Sequence, residues 1–250
     1  TAAMVLSLMA VTRGKDSYLH LSRHDDWRPH GESLRGIVKV GGNAMVEQLS
    51  MRFGFFIYSR IIYGMGVTVF AAHNISMQLL GLTFNFADGL AVAGTSLVGQ
   101  NMGAGRSDLS LLYGKITQRL ALAFSLIIAA FVALLRYPLA SLFISAGTPD
   151  AATVITIAAQ TLLVVAFMQP AQMSAVVLSG CLRGAGDNLY VASRMMISVS
   201  VLRPLLTLLA VHVFHMGLPM TWLLGLSEIF VRLYFFYTRF ESGKWKLKKV

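Results

Sequence analysis

The stretch that decides the fold runs from residue 67 to residue 101 and reads VTVFAAHNISMQLLGLTFNFADGLAVAGTSLVGQN. A helix that crosses the ~30 Å hydrocarbon core of a bilayer needs about 20 predominantly apolar residues. As a helix, this run would extend for roughly 50 Å at ~1.5 Å per residue, so it predicts a transmembrane helix that is tilted or bent. Its glycines allow a bend or a close approach of a second helix.

A polar line runs along one side of this predicted helix. Steps of 3.6 residues from Asn74 lead to Gln78, Asn85 and Asp88. Lipid does not tolerate such a face, because unpaired polar groups are costly in hydrocarbon. The line therefore predicts a face that looks into a bundle interior or a water-filled cavity.

The whole chain has a membrane composition. Its 250 residues are 56% hydrophobic and only 13% charged, whereas a soluble domain has about 25% charged residues. Membrane-length apolar runs lie at 40–63, 67–101, 113–135, 151–181, 189–212 and 217–238. We predict an all-α integral membrane protein, a six-transmembrane-helix bundle over residues 37–238. Residues 1–12 resemble the end of a truncated transmembrane helix, residues 13–36 a cytoplasmic linker, and residues 239–250 a basic cytoplasmic tail.

The formal net charge of +10 is explained by where the basic residues lie relative to the predicted spans. They lie before the first full span, in the connections at 106–119 and 183–194, and after residue 238, whereas the opposite connections hold Arg136 alone. The positive-inside rule makes this basic side cytoplasmic and predicts a multi-pass protein of the plasma membrane. Contact with anionic lipids accounts for the charge, so we expect no nucleic-acid partner.

Motifs for chemistry are missing from the sequence. The GAG phrases at 103–105 and 184–186 follow long apolar runs rather than strands, so they predict helix-ending turns instead of phosphate loops. No nucleophile elbow, zinc-protease motif or Walker lysine is present, and we predict that the protein is not an enzyme. The linker has His20, His24, His30, Asp25 and Asp26, but a solvated loop explains them, so no metal site and no cofactor are predicted.

Ionisable residues inside the spans are the candidates for function, because such residues usually face a bundle interior or water. Glu47 and Asp88 come first, and Glu228 is a weaker candidate. Structural roles stay open: Arg52 could pair with Glu47, and Arg232 with Glu228 near the cytoplasmic end of its span. Further polar residues are predicted at the same cavity: Asn43, Asn85, Gln78, Gln169, Gln172 and Arg203.

Several phrases together resemble one family. MRFGF, AAHNISMQ, GLAVAGTSLVGQNMGAG, LSGCLRGAGDN, VLRPL and SGKWK, in this order, are similar to the C-terminal half of multidrug and toxic compound extrusion (MATE) transporters. The resemblance covers residues 36–246 and implies one six-helix lobe of a twelve-helix transporter that alternates access to the two sides. It also implies antiport of organic cations or drugs against H⁺ or Na⁺, the coupling ion being the only cofactor-like species.

The resemblance assigns a role to Glu47, which matches a glutamate of the family's seventh helix implicated in cation coupling. At the place where some sodium-linked members have an aspartate, this chain has Gln172, which puts a two-acid sodium site in doubt. The N-terminal lobe is the expected partner, either in a longer protein or through dimerisation of a half-size one. A lipid-linked glycan flippase and a non-transporting membrane scaffold remain alternatives.

Overall fold

A computed structural model describes residues 31–144 and 150–247. Six long helical segments occur within these ranges, with no strand among them: α1 (Gly31–Tyr63), α2 (Val67–Gly103), α3 (Ser107–Leu134), α5 (Ala151–Gly184), α6 (Asn188–Val213) and α7 (Leu218–Glu241). A short helix, α4 (Arg136–Ser141), follows α3, and a 3₁₀ turn (Lys244–Leu247) follows α7. The six segments coincide with the six predicted spans to within three residues, except that α1 begins nine residues earlier and α3 six residues earlier. The all-α fold class is confirmed.

The chain divides into two compact units, residues 1–43 and 44–250. The described part of the first unit is the beginning of α1. Residues 1–30, with the predicted helix end, most of the predicted linker and its histidines, lie outside the described residues. The division into linker, lobe and tail stays a prediction, and everything below concerns the second unit.

Four of the described helices, α2, α3, α5 and α6, are both long enough and apolar enough to cross a membrane. α1 and α7 have the length, at 33 and 24 residues, but contain more charged side chains. Several of these charges are buried in the protein, among them Glu47, Glu228 and Arg232. Mean hydropathy along a single helix underestimates how well α1 and α7 could span a membrane, because some of their charges are paired inside the bundle.

Helix α5 is the centre of the bundle and packs against α2, α3, α4, α6 and α7. Its crossing with α2 is a backbone contact, since a Cβ atom added at Gly180 would lie 2.7 Å from the Ala91 carbonyl oxygen, and one at Gly184 would overlap the Thr95 backbone. The Thr95 hydroxyl lies 2.8 Å from the carbonyl oxygens of both Ala91 and Gly180. Close packing at small residues and the shared Thr95 hydroxyl thus hold α2 and α5 together, since the hydrophobic effect contributes little between helices in lipid.

Both GAG phrases form the same helix end. Gly105 and Gly186 have φ angles of 72° and 81°, in the left-handed region that glycine tolerates. The next residue's N–H then donates back to a helix carbonyl: Arg106 to Asn101 at 2.8 Å and Asp187 to Leu182 at 3.0 Å. This is the Schellman motif. The prediction of helix-ending turns is confirmed, and the α2–α5 crossing brings both turns to one end of the bundle.

Helix α6 contains two wide π-helical stretches that the sequence did not predict, Met196–Leu202 and Leu209–Val213. The first precedes Pro204, whose ring lacks an N–H and would collide with the carbonyl four residues earlier in a regular α-helix. Ser200 in this stretch receives a hydrogen bond from the Ser50 hydroxyl of α1 at 3.0 Å. Gly54 fits against the same stretch, because an added Cβ atom would lie 2.6 Å from the Ser200 Cα atom.

The segment after α7 folds back onto the bundle. Trp245 is fully buried, stacks on Phe240 at a ring-centroid distance of 5.4 Å and donates its indole N–H to the Phe240 carbonyl. Phe240 in turn presses against Gly114 of α3, where a Cβ atom would overlap its ring. Nearby, Arg239 donates to Asp187 at 2.7 Å. These contacts connect the end of α7 to the GAGDN turn.

Candidate functional site

A cavity of about 830 Å³ lies between α1, α2, α5, α6 and α7. Much of its wall is apolar, with side chains such as Phe55, Met77, Phe84 and Val176. Its charged or amide-bearing lining consists of Gln48, Arg52, Asp88, Gln172, Arg183, Arg203 and Arg232. Charged groups at this depth between apolar helices are functional candidates by default, because each is costly to insert.

The polar line of α2 lies on a face that the described helices leave uncovered. Asn74, Gln78, Asn85 and Asp88 are exposed, whereas the opposite face of α2 is buried. Asp88 lines the cavity, and within the described ranges no ion pair or side-chain hydrogen bond holds its carboxylate. Gln78 and Asn85 share the exposed face but are not among the residues that line the cavity. The period of 3.6 was therefore sufficient to identify the face, while the cavity touches only part of it.

A buried charged cluster forms the floor of the cavity around Glu228. The Glu228 side chain is 0% exposed and accepts hydrogen bonds from Arg203 Nη2 at 2.8 Å and Nε at 3.2 Å. The Ser198 hydroxyl donates to the other carboxylate oxygen. Arg232 Nε lies 3.6 Å from that same oxygen, and Arg232 Nη2 donates to Gln172 Oε1 at 2.6 Å. One carboxylate thus faces two guanidinium groups.

The position of Glu228 corrects one expectation. The expected local contact with Arg232 is present at 3.6 Å, but Glu228 lies near the middle of α7 rather than near its end. Its shorter contact, at 2.8 Å, is with Arg203 of α6. Arg203 also lies over the rings of Phe55 and Tyr58, at 5.3 and 6.0 Å from their centroids. These cation–π contacts stabilise a guanidinium that has left water. The cluster therefore connects α1, α5, α6 and α7.

Glu47 has a different partner from the one suggested by spacing. It is 4% exposed, and its Oε1 atom lies 2.5 Å from Arg183 Nη2, a residue of the LRGAG phrase at the end of α5. Arg52, the partner that spacing suggested, lines the cavity instead. Arg183 also lines the cavity and is 36% exposed, so its guanidinium lies between Glu47 and the open volume. The Asn43 side chain lies outside the described residues.

The two predicted glutamines of α5 have separate surroundings. Gln169 is buried and donates from Nε2 to the Thr83 hydroxyl at 2.6 Å, and that hydroxyl donates to the Leu80 carbonyl. This chain of bonds holds α5 to α2 and does not border the cavity as the described residues define it. Gln172, one turn later, lines the cavity and accepts from Arg232.

Sequence reasoning missed four members of this site: Arg52 and Arg232 as cavity-lining residues, Arg183 as the partner of Glu47, and Ser198 as a donor to Glu228. A signal for the first two was present, because an arginine inside a span must face water or a carboxylate. Arg183 gave no such signal, since it ends a span next to a turn where a basic residue already fits the cytoplasmic side.

Long apolar helices around a cavity lined by ionisable groups define a polytopic α-helical membrane protein. The MatE family model matches residues 44–209, which contain most of the cavity. The chain belongs to the MatE family.

Relatives and solved structures agree with this assignment. A probable multidrug resistance protein NorM of Thermotoga maritima is 28% identical over 89% of this chain and 47% of its own length. The multidrug resistance protein PmpM of Pseudomonas aeruginosa is 29% identical over 82% of this chain and 39% of its own length. An outward-facing multidrug resistance transporter of the MATE family superposes with a TM-score of 0.83 at 18% identity, over 96% of this chain and 54% of that one. The chain thus spans about half the length of the proteins it matches, and its fold is that of one transporter lobe.

Proposed function

We propose that this chain forms one lobe of a secondary active antiporter that exports small organic molecules by alternating access. The second lobe would belong to the same protein or to a second copy of a half-size one. We place the transporter in the plasma membrane, with residues 13–36 and 239–250 on the cytoplasmic side. The observation that carries the proposal is the cavity between membrane-length helices, with the Asp88 carboxylate exposed in it and unpaired within the described ranges. Relatives named for multidrug resistance support export as the direction.

The cavity has the size and chemistry of a small-molecule site. Pockets for such ligands have volumes of about 300–1,000 Å³, with mostly apolar walls and a few polar groups that set orientation. The volume of about 830 Å³ and the side chains of Phe55, Met77 and Phe84 fit that description. Asp88 is suited to an organic cation, the substrate class that the resemblance to MATE transporters implies.

Coupling is assigned to Glu47, with Asp88 as the second acid. A carboxylate that alternates between a buried pair and an open site can exchange a proton or Na⁺ as access changes. In this structure Arg183 Nη2 forms an ion pair with Glu47 Oε1 at 2.5 Å. Neutralisation of Glu47 by a proton would remove its attraction for Arg183, and Na⁺ would compete with the guanidinium for the same oxygen atoms. Either event would loosen α1 from the end of α5.

The test is gradient-driven efflux of ethidium by the native-length transporter, with Glu47→Gln and Asp88→Asn, at several pH values and sodium concentrations. We expect Glu47→Gln to abolish the dependence on the coupling ion, because an amide takes up neither a proton nor a tightly bound cation at neutral pH. Glu241→Gln is the control, since Glu241 pairs with Lys115 on the exposed surface, where both side chains are more than a third exposed. Gradient-dependent efflux that is unchanged in both acid variants would refute the assignment of the coupling site.

A lipid-linked glycan flippase is the second candidate, and one observation favours it. Four arginines, Arg52, Arg183, Arg203 and Arg232, line the cavity. Cationic groups along the cavity are what we expect of a flippase for lipid-linked glycans. Translocation of a labelled lipid-linked glycan in proteoliposomes, without ethidium efflux, would favour the flippase.

A further inference from the structure

The charges around the cavity do not balance. Two of its four lining arginines, Arg203 and Arg232, share one carboxylate, that of Glu228, and a third, Arg183, has Glu47. Arg52 is exposed on the cavity side of α1, with no ion pair among the described residues. Asp88 is the one carboxylate that lines the cavity within residues 31–144 and 150–247, and no arginine described there approaches it within 4 Å. The floor cluster therefore has one positive charge more than its carboxylate neutralises.

The surplus charge is buried, and its hydrogen bonds are incomplete. The Arg232 side chain is 4% exposed, and within the described part of the chain its Nε–H has no acceptor in hydrogen-bond geometry. Its other contacts are one bond to Gln172 and a long contact of 3.8 Å to the Met195 sulfur. A guanidinium has five N–H donors and is stable out of water when a carboxylate or similar anion satisfies them. A second anion beside this cluster would satisfy both the charge and the free donors.

The geometry points to a monoanion site at the floor of the cavity, formed by Arg52, Arg203, Arg232 and Gln172. We propose that it binds either the carboxylate of a transported substrate or free chloride, both of which supply one negative charge to guanidinium N–H groups. The carboxylate source rests on the proposed function and extends its substrate class from organic cations to molecules with an anionic group. The chloride source does not depend on transport.

Three features of the lining suit an anionic group with an organic body. Arg52, Arg203 and Arg232 come from three different helices, so their donors approach one volume from several directions. Gln172 uses its carbonyl oxygen for Arg232, which leaves its amide N–H groups for a ligand. Phe55 and Met77 supply the apolar wall next to these donors. An aromatic carboxylate therefore matches both parts of the lining.

The experiment is equilibrium binding of radiolabelled benzoate to the purified native-length transporter by scintillation proximity, without an ion gradient. Unlabelled benzoate, benzamide and benzylamine compete in parallel, since they share size and shape and differ in charge. We expect benzamide and benzylamine to compete at least tenfold more weakly than benzoate. Displacement of benzoate by chloride at equal concentration would identify free chloride as the natural occupant, while failure of chloride to compete would identify the substrate carboxylate.

Two variants test the site without disturbing the buried cluster. Arg52→Gln should weaken benzoate binding at least tenfold, whereas Arg60→Gln, at an exposed position on the same helix that does not border the described cavity, should leave it unchanged. Equal competition by benzoate and benzamide, or undiminished binding by Arg52→Gln, would overturn the inference. Gradient-driven ethidium efflux without benzoate binding would refute only this site, and benzoate binding without efflux would refute only the proposed function.

Discussion

Replacement of Glu228 by glutamine removes the one negative charge that the structure shows between Arg203 and Arg232. The amide has nearly the same shape and still accepts a hydrogen bond, so packing around Ser198 should persist. What changes is the charge, because two guanidinium groups with side chains 12% and 4% exposed are left facing each other. The cluster goes from one surplus positive charge to two, in a site with little access to water.

The expected cost follows from this burial. Removal of one partner from a buried ion pair costs about 3–5 kcal/mol, mostly because the remaining charge is left unpaired. At roughly 2–4 °C per kcal/mol for a chain of this size, the apparent Tm should fall by about 6–20 °C. Glu241→Gln is the matched control on the same helix. Its pair with Lys115 is exposed, so it contributes at most about 1 kcal/mol.

The assay is the loss of the monodisperse peak on size exclusion after heating of the native-length protein in detergent. A second variant, Arg203→Gln, separates net charge from pair geometry. It removes the better placed guanidinium, at 2.8 Å from Glu228, yet leaves a neutral pair of Glu228 and Arg232. We expect it to lose less stability than Glu228→Gln. A larger loss of stability for Arg203→Gln than for Glu228→Gln would refute the surplus charge as the cause. So would an apparent Tm of Glu228→Gln equal to that of the Glu241→Gln control.

Two further predictions concern packing. Gly184→Ala should reduce the yield of folded protein sharply, because its methyl group would overlap the Thr95 backbone. Gly89→Ala has open space around it and should be neutral or more stable by about 0.5–1 kcal/mol. Fluorescence-detected size exclusion measures both. Gln169→Leu should cost about 1–3 kcal/mol by leaving the buried Thr83 hydroxyl without its donor, and Thr83→Val added to it should recover part of that loss in the same melting assay. A Gly184→Ala protein as stable as Gly89→Ala, or losses of Gln169→Leu and Thr83→Val that simply add, would contradict these two predictions.

Much of the fold could be predicted, because its causes act along one helix. The lengths of the apolar runs indicated the six helices, and the period of 3.6 indicated the uncovered face of α2 with Asp88. The GAG phrases indicated helix ends because only glycine adopts their left-handed backbone readily. The π-helical stretches of α6 escaped prediction; the first of them packs closely against Gly54 of another helix, a contact that the sequence of α6 does not contain.

The sequence by itself determined that this is a helical membrane protein of the MatE family, with acids at membrane depth in three of its helices. The tertiary structure alone decided which arginines Glu47 and Glu228 meet. Glu47 pairs with Arg183, 136 residues away, rather than with Arg52, the partner suggested by spacing along α1. Glu228 keeps its contact with Arg232 on α7 but makes its shorter ion pair with Arg203, 25 residues away on α6. The physical reason is that helical spacing orders side chains on one helix, whereas the close α2–α5 crossing and the π-helical turn of α6 set where other helices present theirs.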